Sequence, residues 1–315
     1  MLETLSSILG LSFVSGINLY AAVLTVGLGI RFGWLLGLPQ EMQVLANPLV
    51  LTLAAAMYLA EFVADKVPFF TPIWDGIHTF IRPLGAAILA MEAAGKLSPT
   101  AQILAALAGG SIALGTHSTK AAARLIAHAS PDPVAHSAMS IAEDFSVVAL
   151  LILAYKHPEI AVPLLVVLII GVFILLPVLL RVLRFTLAGI GGRISSWTSE
   201  STNADVPQWA MQDAATGLRC YFRSGGRMRR LKEAYLLKKG HSWTLTEKRL
   251  FKPTNESLLV TSSTVTPGLL YDTITLRNGN SEQSFYVTKE WAGQCRKMCG
   301  EQSFANAVQV TSSSS

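Results

Sequence analysis

Charge is scarce in this chain: Asp, Glu, Lys and Arg make up 14% of its 315 residues, while 51% are hydrophobic. Soluble domains usually carry about a quarter charged residues, so the chain lacks the polar surface to cover itself in water. Cysteine is scarce too. Cys220, Cys295 and Cys299 are an odd number without a framework spacing, which argues against a disulfide-stapled secreted scaffold. Cys295 and Cys299 share a helix face, as two reduced, core-facing thiols, and no four-ligand zinc pattern is present. No nucleophile elbow, Ser-His-Asp arrangement or phosphate-binding loop stands out. No catalytic residue, metal ligand or cofactor is therefore assigned, and a membrane-embedded enzyme ranks last among the readings. The start, Met1-Leu2-Glu3, has no basic residue and no small-residue cleavage site follows, so the first apolar run reads as a membrane span.

What the chain does have is apolar length. A bilayer core of about 30 Å takes roughly 20 mostly apolar residues per helix. Six segments qualify: Leu5 to Ile30, Pro48 to about Glu61, Trp74 to Ala94, Thr100 to about His117, Pro133 to Tyr155 and Ile160 to Leu180. Lys66, Arg82, Lys120, Arg124, Arg181, Arg184 and Arg193 collect on one side, against Arg31, Lys96 and Lys156 on the other. Excess Lys and Arg marks the cytoplasm, which places both termini inside a bacterial inner membrane. The expected fold is an all-α polytopic bundle of about six transmembrane helices over 1–193, followed by a linker at 194–206. A small α+β, β-rich cytoplasmic domain over 207–310 and a disordered tail at 311–315 complete it.

In the tail domain, alternating or β-branched stretches predict strands at Ser242 to Thr246, Thr273 to Leu276 and Gln283 to Val287, with a hairpin turn at Asn278-Gly279. Thr288 is placed to cap a closing helix from Lys289, with Glu290 favourable to its dipole. Arg223, Arg227, Arg229, Arg230 and Lys232 form a basic cluster suited to anionic lipids of the inner leaflet, or else a solvated loop. Nucleic acid is not expected, because topology accounts for much of the net charge of +5. Oligomeric state is not legible.

The informative residues are charges within apolar helices. Glu61 and Asp65 share a helix face, as do Lys120 and Arg124. Each pair is followed by a proline-containing break, at Pro68 and Pro72 or at Pro131 and Pro133, and then by a helix carrying Arg82 or Glu143 with Asp144. At 1.5 Å per residue Arg82 lies roughly 20 Å below Lys96, and Asp144 roughly 18 Å below Lys156. The two units match in layout with their signs exchanged, which suggests a parallel internal repeat. It predicts that the Glu61–Asp65 end meets the Lys120–Arg124 end, and that Arg82 meets Glu143 or Asp144. Charges at such depths cost about 3 kcal/mol each or more, and they face partners or water. Together with Asp75 and His117, these residues form either a polar path or a static network that pins two broken hairpins. Asn18, beside Gly16, is expected in helix packing or in the same cavity. Gly109, Gly110 and Gly115 are expected at close helix contacts. His78, His117, His128 and His136 match no metalloenzyme motif and are of interest as proton carriers.

The run Glu61-x-x-x-Asp65-Lys66-Val67-Pro68, with Trp74-Asp75 and Arg82-Pro83, resembles domain-of-unknown-function family 4126, uncharacterised bacterial membrane proteins. His117-x-x-Lys120-x-x-x-Arg124, Ser130-Pro131-Asp132-Pro133 and Ser140-x-x-Glu143-Asp144 extend the resemblance, which covers about residues 1–184. His128 departs from the pattern, standing where Asn is more usual. The family implies no activity. The tail resembles a bacterial pleckstrin-homology-like domain, which implies a binding module for lipid or a protein partner and brings no catalytic residues. The leading reading is transporter-like or channel-like. The alternative is a non-transporting membrane scaffold.

Overall fold

The computed structural model describes the chain except for residues 36–37, 65–70, 128–132, 212–215, 226–229, 241, 249–252, 280 and 301–315. The chain forms two compact units, 1–180 and 181–315.

The first unit is helical. α1 (Leu2–Arg31), α2 (Pro48–Ala64), α3 (Thr71–Ala93), α4 (Pro99–Ala127) and α5 (Pro133–Lys156) precede α6 (Pro158–Ser195), whose last turns, from Arg181, belong to the second unit. Four of these helices begin on proline, which lacks only an N–H that a first turn leaves unbonded and whose φ is already helical. Asn47 adds a cap to α2, its Oδ1 accepting from Leu49 N at 2.9 Å. α1 is the hub. It packs against α2, α3, α4 and α5, while α3 lies along α4. Small residues permit the close approach: a Cβ on Gly16 would stand 2.6 Å from Ala113 O, and one on Gly109 2.6 Å from Ala90 Cβ.

Six spans were expected. Among the described residues two helices, α1 and α6, are long and apolar enough to cross a membrane, or three if α2 is joined to the 3-10 turn Gln40–Ala46, bent from it by 62°. Charged residues of α2, α3 and α4 point inward. Glu61, Arg82, Lys120 and Arg124 are buried, whereas Phe80, Leu84, Ile88, Leu104, Leu107 and Phe145 are exposed. This is the reverse of the arrangement that water imposes on a soluble bundle.

The second unit adds α7 (Gln208–Met211), seven strands and α8 (Ala292–Cys299) to the end of α6. The strands are β1 (Thr216–Ser224), β2 (Glu233–Lys239), β3 (Ser242–Lys248), β4 (Pro253–Leu258), β5 (Ser262–Thr266), β6 (Tyr271–Asn278) and β7 (Ser281–Thr288). They form one antiparallel sheet in the order β4-β3-β2-β1-β7-β6-β5. β6 and β7 pair out to Asn278 opposite Ser281, with Gly279 at φ 55°, a left-handed conformation glycine adopts without strain. The alternating inward residues, including Leu218, Leu236, Ile274 and Phe285, bury a core with Trp291, Cys295 and Met298 of the closing segment. Thr288 does not cap as expected. Its hydroxyl donates to Glu290 Oε1 at 3.2 Å, a 3-10 turn (Lys289–Trp291) intervenes before α8, and Glu290 also accepts from Arg219 at 2.6 Å and Ser195 at 2.8 Å.

On the outer face of β1, β6 and β7, Tyr221, Tyr271 and Tyr286 surround Phe185 of α6, which stacks on Tyr271 with centroids 4.2 Å apart. A Cβ on Gly189 would stand 2.5 Å from Tyr271, so only glycine lets the helix lie this close to the sheet.

Candidate functional site

α1 is broken in its middle. Asn18 has φ −151° and ψ 101°, an extended conformation within a helix. In an unbroken helix Ala21 N–H would donate to Ile17 O. Here it donates to Asn18 Oδ1 at 3.0 Å, so Asn18 serves as the N-cap of the second half. Ile17 O is left for other donors, and two cations take it. Arg82 Nη1 donates to Ile17 O at 2.7 Å and Gly16 O at 3.1 Å, and Lys120 Nζ donates to Ile17 O at 2.6 Å. The carbonyl end of a helix carries partial negative charge, which favours this placement of positive groups.

From those two cations runs a ladder of alternating sign. Arg82 Nη2 meets Glu61 Oε1 at 2.6 Å; Lys120 lies 3.5 Å from Glu61 and 3.0 Å from Glu143; Arg124 meets Glu143 Oε2 at 2.5 Å. Its side chains are 0% exposed for Arg82, 1% for Glu61 and 6% for Lys120, with Glu143 at 18% and Arg124 at the far end buried again at 5%. Charge-assisted bonds and full desolvation make each member dependent on its neighbours. Glu61 Oε2 and Arg82 Nε are buried without a hydrogen-bond partner among the described residues.

Asp144 stands beside the ladder, held by neutral donors. Asn18 Nδ2 donates to Oδ1 at 3.0 Å and the Tyr58 hydroxyl to Oδ2 at 2.7 Å. Asn18 therefore links the break in α1 to an acid of α5. The two buried histidines have both ring nitrogens engaged. His117 Nδ1 accepts from Arg82 at 3.0 Å while Nε2 donates to Asp75 O at 3.0 Å. His78 Nδ1 donates to Trp74 O at 2.8 Å and Nε2 accepts from the Tyr20 hydroxyl at 3.0 Å. Neither ring offers a free lone pair to a metal.

The structure thus gathers Glu61, Arg82, His117, Lys120, Arg124, Glu143 and Asp144 around the break, with Asp75 buried one turn before Thr79. Asp65 lies outside the described residues, as do His128, Pro68 and Pro131. The expected pairing of Arg82 with Glu143 or Asp144 is not what forms: Arg82 pairs with Glu61, of its own unit, and Arg124 with Glu143. The reason is azimuthal. α3 packs on α1 and α4 while α5 packs on α1, so depth alone misassigned the partner. Lys120 does reach Glu61, joining the two units. Tyr20, Tyr58 and Thr79 were missed; their hydroxyls lie in apolar stretches and carry no charge to betray them.

In the second unit Arg223 lies over the Tyr286 ring at 5.3 Å, and Arg230 is exposed across the same β1–β2 hairpin. Lys232 is engaged by Glu247. Arg227 and Arg229 lie outside the described residues.

Among known proteins, the family model described as Domain of unknown function (DUF4126) matches residues 5–178. No curated protein matches the chain. A solved structure of Vav1 bound to an allosteric inhibitor is similar at 11% identity and a TM-score of 0.21, covering 81% of this chain and 54% of that one. The chain spans about half the length of that structure, and a likeness this slight identifies no fold.

Proposed function

The chain belongs to the family of Domain of unknown function (DUF4126) proteins. From the broken helix and its buried charges we propose that it is a transporter-like or channel-like membrane protein with the charge ladder as its polar centre. In this reading the first unit crosses a bacterial inner membrane six times, with both termini cytoplasmic. α3, α4 and α5, with 23, 29 and 24 residues, have the length a bilayer requires. Their exposed faces are apolar and their charges face the bundle interior, the arrangement that lipid favours.

The observation that carries the proposal is the break at Asn18. Non-helical backbone at membrane depth is tolerated where protein or water satisfies it, and discontinuous helices with freed carbonyls form the substrate and ion sites of many transporters. Here Arg82 and Lys120 fill that position, which makes this a closed state with internal cations on the carbonyls. Release of Lys120 from Glu61 toward Glu143 would open the ladder toward Glu143, its most exposed member. The near-complete burial of Arg82 and Glu61 favours a second reading, a scaffold whose ladder is a dry seam.

The test is proton flux into proteoliposomes, followed with a trapped pH-sensitive dye under an imposed potassium diffusion potential. The transporter reading expects flux above protein-free vesicles that Glu61→Gln alters. Equal rates for protein-containing and empty vesicles, with folded protein inserted, favour the scaffold. For the second unit, Arg223 and Arg230 are proposed contacts for anionic lipid head groups. Hydrogen exchange of the β1–β2 hairpin should slow in phosphatidylglycerol nanodiscs relative to phosphatidylcholine, and equal exchange would contradict it.

A further inference from the structure

A groove of about 400 Å³ lies between the second half of α1 and the last turns of α5, within the roughly 300–1,000 Å³ usual for small-molecule sites. Leu28, Val148, Leu151 and Ile152 line it, and Trp34 and Lys156 stand at one end. The Thr25 hydroxyl that also lines it is spent on Ala21 O at 2.7 Å. Among the described residues Lys156 is the one charged side chain on this mostly apolar wall.

The polarity is ordered along the groove. Lys156 is the last residue of α5, and Trp34 lies three residues past the end of α1 at Arg31, stacked on Phe32 with centroids 5.4 Å apart. Both therefore sit at helix ends, and both are exposed. From Lys156 back to Val148 the helix rises about 12 Å, at 1.5 Å per residue, and the side chains it turns to the groove between them, Leu151 and Ile152, are apolar. The nearby acid Glu159 is occupied by His157 at 3.3 Å, and Arg31 adds a second cation at the end of α1.

We propose that this groove binds an anionic phospholipid of the bilayer, its phosphate on the Lys156 ammonium and one acyl chain along the Val148–Ile152 wall. A Lys that keeps its head in water over an apolar stem, beside an interfacial tryptophan, is placed for a phosphate at head-group level. A zwitterionic lipid also offers a phosphate, but its choline cation opposes Lys156 and Arg31 and weakens the net attraction. The inference rests on the membrane reading of the first unit and is independent of transport.

The test uses the full chain, delipidated in a neutral detergent, with thermal unfolding followed on adding phosphatidylglycerol or phosphatidylcholine of equal chain length. Phosphatidylglycerol should raise the midpoint by a few degrees more than phosphatidylcholine. Lys156→Glu, at an exposed position, should erase that difference. Val148→Trp, which fills the groove, should reduce stabilisation by both lipids. Equal stabilisation of the unaltered chain by both lipids overturns the proposal, as does a preference that survives Lys156→Glu. So does a change of oligomeric mass with Val148→Trp, because it would make a second copy the occupant. If the chain instead leaves native membranes in high salt without detergent, the membrane reading fails, whatever the lipid preference.

Discussion

Arg82 Nη2 and Glu61 Oε1 meet at 2.6 Å, joining α3 to α2 where both side chains are all but inaccessible. Arg82 also holds two carbonyls at the break in α1 and donates to His117 of α4, so it ties four helices together. Removing one partner of a buried ion pair typically costs about 3–5 kcal/mol, because the other charge stays buried. Arg82→Ala and Glu61→Ala should each sharply lower the yield of folded protein in membranes. The exchange Arg82→Glu with Glu61→Arg should recover part of it. Arg82→Glu with Glu143→Arg should recover nothing, and recovery there would show the wrong partner has been assigned.

Asn18 joins the backbone break to Asp144. Asn18→Ala removes the cap on Ala21 N and one donor to Asp144, and loss of a cap alone costs about 1–2 kcal/mol. Its thermal midpoint in detergent should fall, and Asn18→Leu should fall further. Asn18→Asp keeps the cap acceptor but opposes Asp144, so it should be rescued by adding Asp144→Asn. Midpoints unchanged across this series would mean the break does not depend on the side chain.

Much of this architecture was legible because apolar runs and charges report directly on helices and their inward faces. The break was not, since Asn18 in an apolar run reads as one polar packing residue; what opens the helix there is tertiary, the competing donors from Arg82 and Lys120. Partner choice failed for a related reason: sequence gives depth along a helix and says little about which way the neighbouring helices face. In the second unit, β3, β6 and β7 were found by their alternation, whereas β1, β2, β4 (Pro-Thr-Asn-Glu-Ser-Leu) and β5 were missed. β4 and β5 are edge strands, mostly exposed, with little apolar pattern to read; β1 and β2 bury consecutive residues, Cys220 to Phe222 and Leu236 with Leu237, which hides the alternation.

The three thiols differ in reactivity. The hydrogen bond from the Cys295 thiol, with help from the Ser263 hydroxyl and the Lys238 ammonium, holds the Cys299 thiol below its ordinary range. Cys295 is pushed up by the same bond and by burial, and Cys220 by burial. Because the thiolate is the reactive form, Cys299 should be alkylated first, and its rate should rise at a lower pH than that of a model thiol. Mass mapping that finds Cys220 or Cys295 modified before Cys299 in folded protein would contradict this.

Phe185 binds the end of α6 to the sheet. Phe185→Ala should cost about 2 kcal/mol, less than the roughly 3–5 kcal/mol of a fully buried phenylalanine, because the ring is half-buried. Hydrogen exchange in β6 and β7 should quicken accordingly. Protection unchanged within error would mean that the aromatic stack adds no stability.

The central claim is that the ladder around the broken helix opens to water, although it is closed here. Thr116, 5% exposed, lies against Gly16 and next to His117. With Cys220, Cys295 and Cys299 replaced by serine, Thr116→Cys can be challenged with a membrane-impermeant thiol reagent applied to either face of sealed vesicles. The account predicts labelling from one face, slower than at an exposed control such as Thr198→Cys. If the control reacts fully while the cysteine at 116 stays unmodified from both faces until the protein is unfolded, the ladder is a static seam, and the transporter reading is wrong.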